Sequence, residues 1–370
     1  MQTARRITST LLTSVLVVFA FSALAEEGLQ KCATAFPGRA VENAPKLVKT
    51  TGRNLTQICE RSGNTVFFGL EYDADKLAPI WVGYRIADTF GTNGCASMTR
   101  QQMRCHFKAE EVEECINEKT KLQDPFHVDP VLEEQDIDRL RPNSFTGTGH
   151  DRGHMGPNST FSWHACGAFK TFTMANMAAQ WGSLNQQLWA SLEQQVLFWG
   201  VNDGPVHVVT GPIWSAFPNK AIKAIEDGEV ETSSFPKVGE LLKKTNGKPL
   251  SIDVVRPTGF YKVVFRPARN NEPARAIAFL APHTKEKGLE FWTFVVPVKV
   301  VEQASGLKFG FGDEFKGDPD LAFWQAPARE VPSGWSPRSD CKARERVAGW
   351  MAEKSLADRV AICTSNDPAP

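Results

Sequence analysis

The stretch Gly147-Thr148-Gly149-His150-Asp151-Arg152-Gly153-His154-Met155 is followed by Met174-Ala175-Asn176-Met177-Ala178-Ala179-Gln180 and then by Ser183-Leu184-Asn185-Gln186. Leu184, Leu188, Leu192, Val196 and Trp199 recur every three or four residues, a period that predicts an amphipathic helix over residues 184–199. Ser183 with Gln186 three residues on predicts a capping box at its start. With a short strand expected at 171–174, the order around these motifs is strand, strand, helix. His150 and His154 have the spacing of a helical zinc pair, but Gly149 and Gly153 disfavour a helix there, so no zinc site is read.

Outward from this unit, apolar and aromatic runs at 65–68 and 81–86 predict two strands around a turn marked by Asp73, Asp75 and Pro79. Further strands are expected at 206–210, 261–265, 276–280 and 291–296. Strands and helices do not alternate regularly, so the class is α+β, with a mixed, mostly antiparallel central sheet and flanking helices. The polar, cysteine-bearing segment 91–124 reads as a surface insert. The expected layout is a signal peptide at 1–25, an N-terminal extension at 26–60, the main domain at 61–315 and a C-terminal appendage at 316–370 with a helix-like stretch at 342–356.

The leader has Arg5 and Arg6, an uncharged apolar run from Leu11 to Leu24, and Ala23-Leu24-Ala25 before Glu26. That layout predicts export through a signal peptide cleaved after Ala25, to the periplasm or the medium, with no span in the mature chain. All eight cysteines lie beyond it, and an even number in an exported chain predicts disulfides. Cys32–Cys59 and Cys341–Cys363 are the first pairings expected, and Cys166 is expected to pair with the insert. No CxxC occurs, so a zinc ribbon or thioredoxin-like site is unsupported.

Lys+Arg and Asp+Glu both number 42, and two arginines belong to the leader, so the mature chain has a net charge of −2. A neutral balance speaks against tight, processive binding of a polyanion, so any basic patch must be local. Lys243, Lys244 and Lys248 form such a cluster and read as a solvated face.

Phosphodiester hydrolysis needs a base to deprotonate water, a cation to offset charge on the phosphoryl and leaving oxygens, and a donor to steady the transition state. Histidine, a magnesium ligand and arginine can supply all three. Magnesium keeps most of its waters, so one amide carbonyl such as that of Asn185 can suffice when a substrate phosphate completes the shell.

Asp-Arg-Gly-His at 151–154, the Asn176 to Gln180 segment and Leu-Asn-Gln-Gln-Leu-Trp-Ala-Ser-Leu-Glu at 184–193 resemble the DNA/RNA non-specific endonuclease family. These are the ββα-metal or His-Me finger nucleases, which include endonuclease G. Weaker likeness extends to Tyr72-Asp73, Trp81-Val82-Gly83-Tyr84-Arg85, Thr210-Gly211-Pro212 and Glu302-Gln303-Ala304-Ser305-Gly306-Leu307. The resemblance implies a ββα-metal finger in which His154 is the general base and Asn185 the protein ligand of the metal. Glu193 would reach that metal through water, and Arg152 would act beside the base. It places Arg139 or Arg141 as a phosphate-binding arginine, and has Asn176 and Gln180 stiffening the finger beneath the metal, with Asn176 also contacting substrate.

It further implies magnesium, with manganese as a substitute, DNA and RNA as substrates, and 5′-phosphate ends. A homodimer is compatible with it, and no inhibitor protein is identifiable. Ala179 departs from the family's proline, and Gly156-Pro157-Asn158 from its alanine-rich run. The alternatives are a non-catalytic exported binding module on the same fold and a phosphodiesterase of small nucleotides.

Overall fold

Apolar runs rich in Val, Ile, Phe and Tyr form one antiparallel sheet in the computed structural model, which describes residues 28–87, 125–161, 164–331 and 363. In chain order the strands are β1 (Lys46–Leu47), β2 (Leu55–Ser62), β3 (Thr65–Asp73), β4 (Ala78–Ile86), β5 (His150–His154) and β6 (Met177–Trp181). They continue with β7 (Val206–Ile213), β8 (Gly259–Arg266), β9 (Arg275–Pro282), β10 (Val295–Val296) and β11 (Leu307–Lys308). The seven-stranded sheet has the order β10-β9-β8-β7-β4-β3-β2, while β1 with β11 and β5 with β6 form separate ribbons. The α+β expectation holds, with every ladder antiparallel and a parallel isolated bridge between His127 and Thr173.

β7 and β8 are buried along their whole length, so both faces of the sheet centre are covered, as their near-continuous apolar sequences require. Helix α1 (Ala165–Lys170) packs near β2, α2 (Ala190–Asn202) carries Trp199 into the core, and α3 (Val298–Ser305) ends at Gly306 in the left-handed conformation. Trp81, Trp189, Trp199 and Trp324 are fully enclosed. β4 and β7 are neighbours although β5, β6 and α2 lie between them in sequence. The finger is thus an excursion from the middle of the sheet, anchored at both ends by buried strands.

Several local expectations are corrected. Residues 171–174 are not a strand: the chain turns there and enters a 3-10 turn at Met174–Asn176. The Thr173 hydroxyl donates to Asp129 Oδ2 (2.9 Å) and accepts from Ala175 N–H (3.3 Å), local bonds that compete with a ladder. The 291–296 strand shrinks to β10, because Phe291–Phe294 coils into a 3-10 turn that packs Phe291 on Phe279 and Trp292 on Trp199. Ser183 forms no capping box, since it already has helical φ/ψ and makes no side-chain cap bond. The helix opens instead as a π-helical stretch, Leu184–Trp189, before α2. The sheet begins at Leu55, ahead of the boundary expected at 61.

Cys32–Cys59 forms as expected, but Cys363 bonds to Cys166, which overturns both Cys341–Cys363 and the pairing of Cys166 with the insert. Before that crosslink the tail is already docked: Trp324 stacks obliquely on Trp199 with centroids 4.6 Å apart. The Arg329 carbonyl accepts from Gln195 Nε2 (2.7 Å) and Trp199 Nε1 (3.0 Å). The leader, the insert at 91–124, the helix-like stretch at 342–356 and Cys341 lie outside the described residues. No helix among the described residues is long and apolar enough to cross a membrane.

Candidate active site

β5 and β6 pair with His154 opposite Met177, Gly153 opposite Ala178 and Asp151 opposite Gln180. Side chains alternate along a strand, so His150, Arg152 and His154 share one face of β5 and Asp151 and Gly153 the other. Gly153 makes room for Gln180: a Cβ there would stand 2.0 Å from Gln180 Oε1 and 2.6 Å from its Cγ, so the enclosed glutamine would have to move. Past His154, Asn176 seizes the loop. Its Oδ1 accepts from Gly156 N–H (2.7 Å), and its Nδ2 donates to the carbonyls of Gly156 and Thr171, both at 2.9 Å. Asn176 is fully enclosed, so it acts as a clamp beneath His154, and its expected contact with substrate is corrected: no atom of it is exposed to make one.

The Asp151 carboxylate reaches the other limb of the finger. Its Oδ2 accepts from Asn185 Nδ2 (2.9 Å) and Gln186 Nε2 (2.7 Å). The amide of Asn185 is therefore held by its nitrogen, which leaves the Oδ1 carbonyl as the group for a hard cation. The wide π-helical turn at Leu184–Trp189 sets this position, and such turns recur at functional sites. Asp151 lies inside the sequence motif, yet its tie to Asn185 was not read there, because the pairing depends on the strand-to-helix fold-back.

His154 is half-buried between Phe172, edge-on at 5.1 Å, and Phe126 at 5.7 Å. The Arg152 guanidinium lies 3.6 Å from the Phe126 ring centroid and donates to the Pro142 carbonyl at 2.9 Å. Arg152, Asp151 and His150 line an open cleft of about 470 Å³ whose far wall is Pro142, Asn143, Phe145 and Thr146. Arg141 is exposed next to that wall. Arg139 is not in it. Its Nη1 donates to the Leu132 and Ile137 carbonyls at 3.2 and 2.6 Å, and Glu133 and Asp136 approach at 3.8 and 4.0 Å. Its Nη1 and its charge are directed to the loop before the finger and not to the cleft, which corrects the phosphate-binding, catalytic placement expected of it.

Glu193 is half-buried on α2, and its Oε1 is enclosed with no hydrogen-bond partner among the described residues. Burial pushes its carboxyl up, and the ammonium of Lys262 pulls it back down. Lys262 is itself fully enclosed on β8, 5.0 Å from the Trp189 ring centroid and 3.4 Å from Tyr84 Oη. Burial lowers its pKa and Glu193 raises it. Lys262 was missed in the sequence, although a lone charge inside the apolar run of β8 was a legible signal. Among the described residues no group of three His, Cys, Asp or Glu side chains could hold a metal. The oxygens left without a protein donor on the helical limb of the finger are the Asn185 amide carbonyl and a Glu193 carboxylate oxygen, donor types suited to a hard cation that retains its waters and unsuited to zinc.

Nuclease 1, mitochondrial, of Schizosaccharomyces pombe is 27% identical over 64% of this chain and 70% of its own length. Endonuclease G, mitochondrial, of Homo sapiens is 26% identical over 45% of this chain, which spans half the length of that relative. A solved EndoG/EndoGI complex aligns at 22% identity with a TM-score of 0.46, covering 67% of this chain and 86% of that one. The family model of the DNA/RNA non-specific endonucleases matches residues 53–313, and the chain belongs to that family.

Proposed function

We propose that this chain is an exported, metal-dependent nuclease that hydrolyses internal phosphodiester bonds of DNA and RNA without sequence preference. The observation that carries the reading is Asp151. It sits on the strand of the candidate base His154 and fixes the amide of the candidate ligand Asn185 across the fold-back at 2.9 Å. Base and ligand are thereby pre-positioned on one rigid unit, as in-line attack requires. Membership of the family supports nucleic acids as substrates, and the disulfides Cys32–Cys59 and Cys166–Cys363 among the described residues support export.

Asn185 Oδ1 and, through water, Glu193 would hold one divalent cation, magnesium or manganese, which supplies charge neutralisation at the phosphoryl and departing 3′ oxygens. His154 accepts the proton of the attacking water, and the rings of Phe126 and Phe172 keep its imidazole in place. Arg152 donates to the phosphoryl oxygens from the cleft wall, and Arg141 contacts the strand at its rim. Asn176 holds the loop behind the base. Departure of the 3′ oxygen leaves a 5′-phosphate end. Incubating the mature chain with supercoiled plasmid, total RNA and a dinucleotide, each with magnesium or EDTA, tests this. Metal-dependent loss of both polymers is the expected result. Cleavage of the dinucleotide alone would favour a small-nucleotide phosphodiesterase, and three intact substrates a binding module.

A further inference from the structure

The cluster of Lys243, Lys244 and Lys248 lies close to the finger in space. The segment bearing it doubles back through bridges between Leu241 and Val255 and between Lys243 and Pro249, and Lys244 N–H donates to Lys248 O at 2.8 Å. Thr245 N–H then donates to Gly147 O, also at 2.8 Å. The tip of this basic hairpin is therefore fastened to the loop that leads into β5. Between them opens a cleft of about 610 Å³ lined by His150, Trp181, Lys243, Lys244, Arg256 and Lys285, among others. His150 also lines the cleft that contains Asp151 and Arg152, so the two clefts adjoin at His150 on β5.

The charges in this second cleft are unbalanced. Glu240, the acid among its lining residues, is taken up by Arg256 at 2.9 Å. Lys243, Lys244 and Lys285 have no carboxylate partner among the described residues, and Lys285 Nζ rests 4.1 Å from the Trp181 ring centroid. Trp181 is sandwiched further by His150, stacked at 3.7 Å, and its backbone N–H donates to His283 Nε2 at 3.0 Å. The floor is thus rigid and uncharged: burial, with Arg256 and Lys285 nearby, holds the His150 imidazole down at about 4, against the Thr148 carbonyl, which raises it. An open cleft with several uncompensated ammonium groups spread along one wall suits a chain of phosphates better than one small anion.

We propose that this cleft is a strand-extension subsite. Lys243, Lys244 and Lys285 there hold backbone phosphates of the nucleic-acid strand next to the scissile bond, on the His150 side. The inference rests on the nuclease reading and adds where the substrate continues.

Its test is binding of a short fluorescein-labelled single-stranded oligonucleotide, followed by anisotropy in EDTA across a series of salt concentrations, with wild type against Lys243→Gln/Lys244→Gln/Lys285→Gln. The triple variant is expected to bind about tenfold more weakly, and its log–log salt slope to be shallower by about 2, roughly 0.7 for each lost phosphate contact on a single strand. Lys46→Gln/Lys49→Gln, which removes exposed lysines elsewhere, should keep the wild-type slope. An unchanged slope in the triple variant, an equal drop in the control or no binding by wild type overturns the subsite. A wild type that binds through these lysines but cuts nothing contradicts the nuclease reading and leaves the subsite standing.

Discussion

The finger and the basic hairpin face each other across a cleft and are built on opposite terms. In the finger, polar groups are spent inward: Asn176 gives both polar atoms to the backbone, and Asp151 gives one oxygen to Asn185 and Gln186. In the hairpin, Lys243 and Lys244 are exposed and without carboxylate partners among the described residues. The contrast teaches a division of labour. Bond making needs groups held to a fraction of an ångström, which buried, hydrogen-bonded scaffolding such as Asn176 provides. Holding a polyanion needs charge in roughly the right place, and exposed lysines suffice.

The largest effect should follow from His154→Ala. Cleavage is expected to fall by roughly 10²–10⁴-fold, the usual contribution of a general base, with unchanged oligonucleotide binding and an unchanged thermal unfolding profile. Loss of binding along with cleavage would break the division between the two sides of the cleft.

Asn176→Ala sharpens it from the structural side. The substitution strands the buried Gly156 N–H and removes three hydrogen bonds, so destabilisation on the order of 3 kcal/mol is expected in denaturant unfolding. Turnover should fall with it while KM for polymer holds, because the clamp acts on the base and not on the strand. A KM effect would return Asn176 to the substrate.

That difference also governs what the sequence disclosed. The finger was legible because its parts are contiguous, and strong local signals, a glycine that makes room for Gln180 and a helical repeat of Leu184, Leu188 and Leu192, survive folding. β2 was hidden because its inward face carries Thr56, Glu60 and Ser62 beside Ile58, so no apolar alternation marks it. Glu60 is tolerated there by Lys170, 2.5 Å away on α1. The hairpin read as a solvated face because its location is set by the Thr245–Gly147 bond, a contact between distant segments. Arg139 was misplaced for the converse reason: its sequence distance from Asp151 matched the family, but its side chain answers to Leu132, Ile137 and nearby acids. Cys166–Cys363 spans 197 residues, and no local pattern encodes such a pairing.

A smaller effect concerns the buried polar brace behind the finger, where Asp129 meets Thr173, Glu60 and Lys170. Burial, with the Glu60 carboxylate beside it, raises the Asp129 pKa from 3.8 to about 8, against the pull of Lys170 and Thr173. A carboxyl whose folded pKa is raised contributes stability that is complete below about pH 4 and is lost as pH climbs towards 8. Asp129→Asn keeps the acceptor for Val131 N–H and removes the charge. The variant is expected to flatten the decline of melting temperature between those limits and to gain on the order of 1 kcal/mol at pH 8. A steeper decline would place the titration elsewhere.

The central claim is that Asn185, fixed by Asp151, presents the metal-binding oxygen opposite His154. It is tested most directly by titrating magnesium into plasmid nicking by wild type and by Asn185→Ala, with circular dichroism on both. The assignment requires nicking abolished by EDTA in wild type and suppressed at every magnesium concentration in the variant, with the fold intact. Wild-type nicking at wild-type magnesium demand in a folded Asn185→Ala would contradict it.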